Sequence, residues 1–202
     1  MSAVLTLVRH GETSANVQKV WHGSIDTPLT ERGRAQAARV ARHLGESLGR
    51  AAGLYASPLL RARETAAPIA RSLGLEPRLD PDLREYDIGR WEGRSFAELY
   101  RSERFFEHIQ RDPDFAPHGG ESPRQVTERL AGALRRIAAS HPGERAVVIV
   151  HGGSFSMALA HLLEGDYTRW QRVMDNCALS ELVLEPAPAL LTFNVTDHLI
   201  GI

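Results

Sequence analysis

The chain of 202 residues has a single cysteine, Cys177. One cysteine excludes a disulfide framework within the chain. No apolar stretch approaches the ~20 residues a membrane-spanning helix needs. The apolar run near the N-terminus is too short for a signal peptide and lacks a basic region before it. A soluble, cytoplasmic protein without a membrane partner is therefore expected. An excess of either charge is missing too: 24 Lys and Arg against 25 Asp and Glu leave a formal net charge of −1. That balance argues against a general nucleic-acid or membrane-surface binder. Lys19 is the only lysine, so nearly all basic charge is arginine, a bias that carries no functional weight. Repeats, low-complexity tracts and domain linkers are absent, and no His-Glu-x-x-His spacing marks a metal site. With 43% hydrophobic residues, a sizeable core is available. The length suits one domain, 1–202, with room for an inserted excursion.

What the chain does contain is two apolar runs with the same ending. Leu5-Thr6-Leu7-Val8 runs into Arg9-His10-Gly11, and Ala146-Val147-Val148-Ile149-Val150 runs into His151-Gly152-Gly153. Short apolar runs bounded by glycine turns read as buried strands. In an open α/β sheet, ligands bind beyond the carboxyl ends of the strands. As parallel neighbours, these two would bring His10 and His151 together beside Arg9. Two imidazoles and a guanidinium suit an anion, most simply a phosphate.

Between the runs the pattern alternates helix and strand. Thr13 or Ser14 can cap a short helical turn, whose backbone N–H groups would favour an anion. Residues 21–28 read as a loop. Thr30 caps a helix with Val40, Ala41, Leu44 and Leu48 on one face, and Arg32, Arg34, Arg39 and Arg42 mark its solvated side. Leu54-Tyr55-Ala56 is a strand. Ser57 followed by Pro58 reads as a helix start, with Ala62, Ala66, Ile69 and Leu73 as its stripe. Pro68 should kink or divide that helix. Arg61 falls in its first turn, where an anion would offset an unfavourable helix dipole. Residues 96–110 read as one helix carrying Phe105 and Phe106, and 112–123 as a loop. Together, 90–123 form an excursion expected to act as a lid or specificity insertion. Val126, Leu130, Leu134 and Ile137 mark another helix. A further one spans 155–163, and a late hairpin turns around Pro186-Ala187-Pro188.

The ordered motifs resemble the histidine phosphatase superfamily, the phosphoglycerate mutase-like proteins. Arg9-His10-Gly11-Glu12-Thr13 with Asn16 is similar to that family's signature. The Asp26–Gly33 stretch, Ser57-Pro58-Leu59-Leu60-Arg61-Ala62 with Thr65-Ala66, and Leu83-Arg84-Glu85 with Gly89 and Trp91-Glu92-Gly93 follow in family order. Gly120-Glu121-Ser122 and His151-Gly152 complete it. The resemblance implies a three-layer α/β/α sandwich with a mostly parallel central sheet. It implies His10 as the phosphoryl-accepting nucleophile, Arg9, Arg61 and His151 as its cationic pocket, and Glu85 as proton donor to the leaving oxygen. His10 should then be neutral, with its other ring nitrogen donating to a nearby carbonyl.

Asn16, Gly23 and Gly152 match family positions that contact the phosphate or substrate. His22 departs from the pattern, where Gln, Ser or Thr is usual, and either reads the substrate or fills the loop. The other histidines, at 43, 108, 118, 141, 161 and 198, have no motif support and read as structural or exposed. The implied function is a metal-independent phosphomonoesterase acting on a small phosphorylated metabolite, without a cofactor. Oligomeric state is left open, a homodimer included. The alternative within the family is a cofactor-dependent phosphoglycerate mutase. Family mutases carry a longer chain and a basic, lysine-bearing insertion, which this compact chain lacks. A catalytically inactive phospho-ligand binder is the alternative outside enzymes. A pure binder has no need of both His10 and Glu85, and turnover of a generic phosphate ester separates the two.

Overall fold

The two apolar runs become neighbouring central strands. The computed structural model describes residues 2–169 and 172–202. In it β1 (Val4–Arg9) and β4 (Arg145–Val150) run parallel, with Arg9 opposite Val150. β2 (Gly53–Ala56) pairs with β4, and β3 (Pro77–Leu79) lies outside it, both parallel. β5 (Leu179–Val183) joins β1 antiparallel, and β6 (Ala189–Val195) completes the late hairpin. The order is β3-β2-β4-β1-β5-β6, a mostly parallel sheet as expected.

Side chains along the central strands divide between two cores. Leu5, Leu7, Val148 and Val150 pack with Leu130, Leu134, Phe155 and Leu159 of α6 (Pro123–Ala139) and α7 (Gly152–Glu164). Val8, Leu54, Val147 and Ile149 pack with Val40, Leu44, Ala66 and Ile69 of α2 (Glu31–Ser47) and α3 (Leu60–Leu73). Successive strand residues point to opposite faces, so a continuous apolar run requires cover on both. The outcome is the three-layer α/β/α sandwich. Among the described residues no helix is long and apolar enough to cross a membrane.

Several local signals hold. α1 (Ser14–Gln18) opens on a capping box between Thr13 and Asn16, and α2 on the Thr30 hydroxyl, which accepts from Gly33 N–H. The four arginines of α2 named above are exposed.

Others are corrected. α3 starts at Leu60, not at Ser57-Pro58, and no side chain of its own N-cap residue, Leu59, holds it. Its Leu60 N–H donates instead to Asp26 Oδ1 at 2.7 Å, an acceptor far away in sequence. Pro68 does not divide α3, because Ala62, Ala66 and Ile69 are pinned in the core on either side of it. The helix expected over 96–110 is two, α4 (Phe96–Arg101) and α5 (Phe105–Arg111). The break falls at Arg104, which takes a left-handed φ of 47°. This turn sends Phe105 into a third core with Trp21, Tyr86, Trp91, Leu99 and Met157. α7 begins at Gly152 rather than Phe155, so its N-terminus follows His151 directly.

Candidate active site

β1 delivers Arg9 and His10 to the carboxyl edge of the sheet. The turn after them needs glycine. A Cβ on Gly11 would sit 2.6 Å from Gly33 O, and one on Gly33 would sit 2.1 Å from Glu12 O. Gly11 N–H donates to Thr65 Oγ1 at 3.0 Å, tying the turn to α3. His10 Nδ1 donates to the Gly11 carbonyl oxygen at 2.8 Å. That bond places the ring proton on Nδ1 and leaves Nε2 as the free, basic nitrogen. Burial, then Arg61 and Arg9, hold the His10 pKa well below the usual imidazole range. His10 is therefore a neutral imidazole.

β4 delivers His151, the N-cap of α7, with its ring centroid 5.1 Å from that of His10. Arg61 Nε donates to His151 Nδ1 at 3.2 Å. The His151 proton must then sit on Nε2, which is buried without a partner. Arg61 also donates through Nη1 to Ile25 O at 3.0 Å and through Nη2 to Gly23 O at 2.9 Å. Backbone carbonyls thus offset its place in the first turn of a helix, where the local sequence pattern alone points to an anion. Burial lowers the Arg61 pKa to about 10, so it stays cationic at neutral pH. Arg9 donates through Nη1 to the Met174 carbonyl, while its buried Nε has no partner. The Arg9 guanidinium lies against Gly152, where a Cβ would stand 3.2 Å from Cζ.

Glu85 is held by the start of α7. Its Oε2 accepts from Gly153 N–H at 2.8 Å, and Oε1 from Ser154 N–H at 2.5 Å and Tyr86 N–H at 2.8 Å. A helix N-terminus favours a negative group in this position. A cavity of ≈ 250 Å³ opens here, with Arg9, His10, Glu85, Gly152 and Gly153 in its floor and Asn16 and His22 beside them. Arg61 and His151 do not line it; both are fully buried. Gly23 does not line it either, and reaches the site only as an acceptor for Arg61.

His22 is buried and bonded on both nitrogens, to Thr27 Oγ1 at 2.9 Å and to Asn16 Nδ2 at 3.4 Å. Burial, then Arg61 and Arg9, push its pKa down to about 3. His118 and His141 are buried structural residues, the latter bonded through Nε2 to Tyr55 Oη at 2.9 Å. Sequence reasoning passed over Asn176, whose Nδ2 donates to His10 O at 2.9 Å and to Asn16 Oδ1 at 3.2 Å. It lies on a loop far from every motif. Glu92 and Thr65 were within the matched blocks. Glu92 clamps Ser24 N–H at 2.7 Å and Ile25 N–H at 3.0 Å, so it fixes the loop that Arg61 grips.

The model of the histidine phosphatase superfamily (branch 1) matches residues 5–196. The chain is 42% identical over 156 residues to phosphoglycerate mutase-like protein 4 of Arabidopsis thaliana, covering 75% of this chain and 67% of that one. It is 34% identical over 195 residues to glucosyl-3-phosphoglycerate phosphatase of Mycobacterium tuberculosis, covering 91% and 86%. A solved phosphoserine phosphatase of Entamoeba histolytica, in complex with 3-phosphoglyceric acid, matches with a TM-score of 0.86 at 29% identity, covering 98% and 100%. Fold, site and relatives together define a phosphoric monoester hydrolase. The chain belongs to the histidine phosphatase superfamily.

Proposed function

We propose that this protein hydrolyses phosphomonoesters of small metabolites through a phosphohistidine at His10, without a metal ion or cofactor. One observation carries the reading. Two buried N–H groups, Arg9 Nε and His151 Nε2, stand unpaired around a neutral histidine whose Nε2 is free. A buried donor left unpaired costs about 1–3 kcal/mol. Phosphoryl oxygens accept from both and remove that penalty. Charge-assisted bonds of this kind also neutralise the equatorial oxygens in the transition state, the main demand of phosphoryl transfer.

In the first step His10 Nε2 attacks phosphorus and the ester P–O bond breaks. Glu85 gives its proton to the departing alkoxide, which leaves as the alcohol. In the second step water attacks the phosphohistidine, Glu85 takes back a proton, and the P–N bond breaks. His10 is restored and inorganic phosphate leaves, so the net reaction is ester plus water to alcohol plus phosphate. Asn16, His22 and Gly152 contact the substrate, while Gly23 acts through Arg61. The segment 90–123 is the part that decides substrate choice, because Phe96 and Phe106 reach the cavity. A mutase needs a second anion site for its bisphosphorylated intermediate. Among the described residues Arg9 is the only Lys or Arg side chain lining the cavity, which favours hydrolysis.

The test is a substrate labelled in its phosphoryl group, quenched in base. Acid-labile, base-stable label on the wild-type protein and none on His10→Ala is the expected result. Label that persists in His10→Ala would overturn the assignment.

A further inference from the structure

One matched block, Gly120-Glu121-Ser122, has no part in the site described so far. Ser122 is accounted for by its capping box with Gln125 at the start of α6. Glu121 pairs with Arg129, further along the same helix. Arg129 Nε donates to Glu121 Oε1 at 2.6 Å and Nη2 to Oε2 at 2.7 Å. The two side chains are only 12% and 21% exposed, so water and salt screen the pair little. A two-pronged pair of this kind fixes the plane of the guanidinium as well as its place.

The rest of the guanidinium goes to one short stretch of backbone. Nη1 donates to Asp82 O at 2.8 Å and to Arg84 O at 3.0 Å, and Nη2 donates to Glu85 O at 3.3 Å. All five N–H groups of Arg129 are thereby used. Glu121 takes hold of the same stretch beyond Glu85. Its N–H donates to Asp87 O at 2.8 Å, and Asp87 N–H donates to its Oε2 at 3.2 Å. The pair thus brackets Glu85 on both sides. Leu83 and Tyr86 are buried in cores that also hold Leu130 and Val126 of α6. Burial of that kind has no direction, whereas the planar fork does. A plain ion pair would need Glu121 alone, yet every remaining donor of Arg129 goes to the segment that carries the proton donor.

We infer that Arg129 and Glu121 are positioning residues for Glu85, holding its backbone where its carboxyl can reach the leaving oxygen. Neither lines the cavity, and Glu85 is the one residue of 82–87 that does. This inference rests on Glu85 as the proton donor of the mechanism above. A misplacement of about 1 Å is enough to cost about 10²-fold in rate.

The experiment compares Arg129→Lys and Glu121→Gln with the wild type. Lysine keeps the charge beside Glu121 and loses the fork. The probes are phosphate esters graded in leaving-group basicity, from 4-nitrophenyl through phenyl to a panel of alkyl phosphates. The readout is kcat/KM, which follows the step in which the leaving group departs. Thermal melts check folding, and inhibition by inorganic phosphate checks the floor of Arg9 and His10. The loss should grow with leaving-group basicity, to about 10²-fold for alkyl esters, while 4-nitrophenyl phosphate loses little. The inhibition constant of phosphate should stay as in the wild type. In a Glu85→Gln background, Arg129→Lys should add no further loss on alkyl esters. No loss, a loss uniform across the series, a further loss in that background, or failure of both variants to fold would overturn this inference alone. A wild-type protein that hydrolyses none of the esters would overturn the phosphatase reading and this inference with it.

Discussion

Lowering the pH from 7.5 to 5.5 should destabilise this protein well beyond what its balanced charge suggests. His10, His22 and His151 lie together, and each is kept neutral by burial first and then by Arg61. His22 is pushed down to about 3, and the other two sit well below the usual range. Glu85 is the one carboxylate lining the cavity among the described residues, and two arginines face it. Once the chain unfolds, all three imidazoles take up a proton at about pH 6.5. Below that value the unfolded state binds more protons than the folded one, so stability is fully present above it and falls as the pH falls. At pH 5.5 each histidine contributes a loss of about 1.4 kcal/mol, and the three together about 4 kcal/mol. His118 and His198 are shifted the same way by burial and add to the loss. A domain is held by only about 5–15 kcal/mol in total. Urea unfolding followed by tryptophan fluorescence at pH 7.5, 6.5 and 5.5 measures the effect. Repeating it with saturating inorganic phosphate should recover part of the loss, since a bound anion stabilises the protonated rings. A free energy of unfolding that stays level from pH 7.5 to 5.5 would refute the neutral histidine cluster.

Three further outcomes follow from the same geometry. Glu85→Gln should lower kcat on alkyl phosphates by about 10²–10⁴-fold, yet much less on 4-nitrophenyl phosphate, whose leaving group needs no proton. Equal losses on both would leave Glu85 a structural role at the start of α7. Activity should survive exhaustive dialysis against a chelator, because arginine supplies the positive charge at the site; a loss restored by Mg²⁺ would contradict the mechanism. Gly33→Ala should cost about 1–3 kcal/mol and depress turnover, because the new Cβ would press 2.1 Å from the Glu12 carbonyl oxygen, immediately beyond the His10 turn. A thermal melt unchanged by that substitution would show that the turn has slack.

The strands and their histidines were legible because a buried parallel strand leaves a continuous apolar run, and each run ended in a residue type with chemistry of its own. The pairing of β1 with β4 could then be inferred from function, since only neighbours bring His10 and His151 together. The start of α3 was misread because Ser57-Pro58 is a local signal and the actual cap is Asp26, delivered by tertiary structure. Arg61 was placed correctly, but its grip on the Gly23 and Ile25 carbonyls depends on a loop path with no local code. Asn176 had no signal for a similar reason: its role comes from meeting a backbone carbonyl 166 positions away. The aromatic residues that line the cavity did leave a trace. More than half of the chain's aromatic residues fall between 86 and 115, although only Phe105 and Phe106 drew notice as a pair. Their irregular spacing hid the shared core and cavity face they form.

The pairing of β1 with β4 and with β5 also sets when the enzyme can first act. During synthesis Arg9 and His10 emerge well before His151, Met174 and Asn176. Cys177 N–H then closes on Arg9 O at 2.9 Å, across almost the whole sequence. Contacts of such long range form late and cooperatively. A chain that stops before β4 therefore lacks the partner imidazole of His10, the Met174 carbonyl that holds Arg9 and the helix N-terminus that holds Glu85. The site is complete only when β4 and β5 have seated against β1.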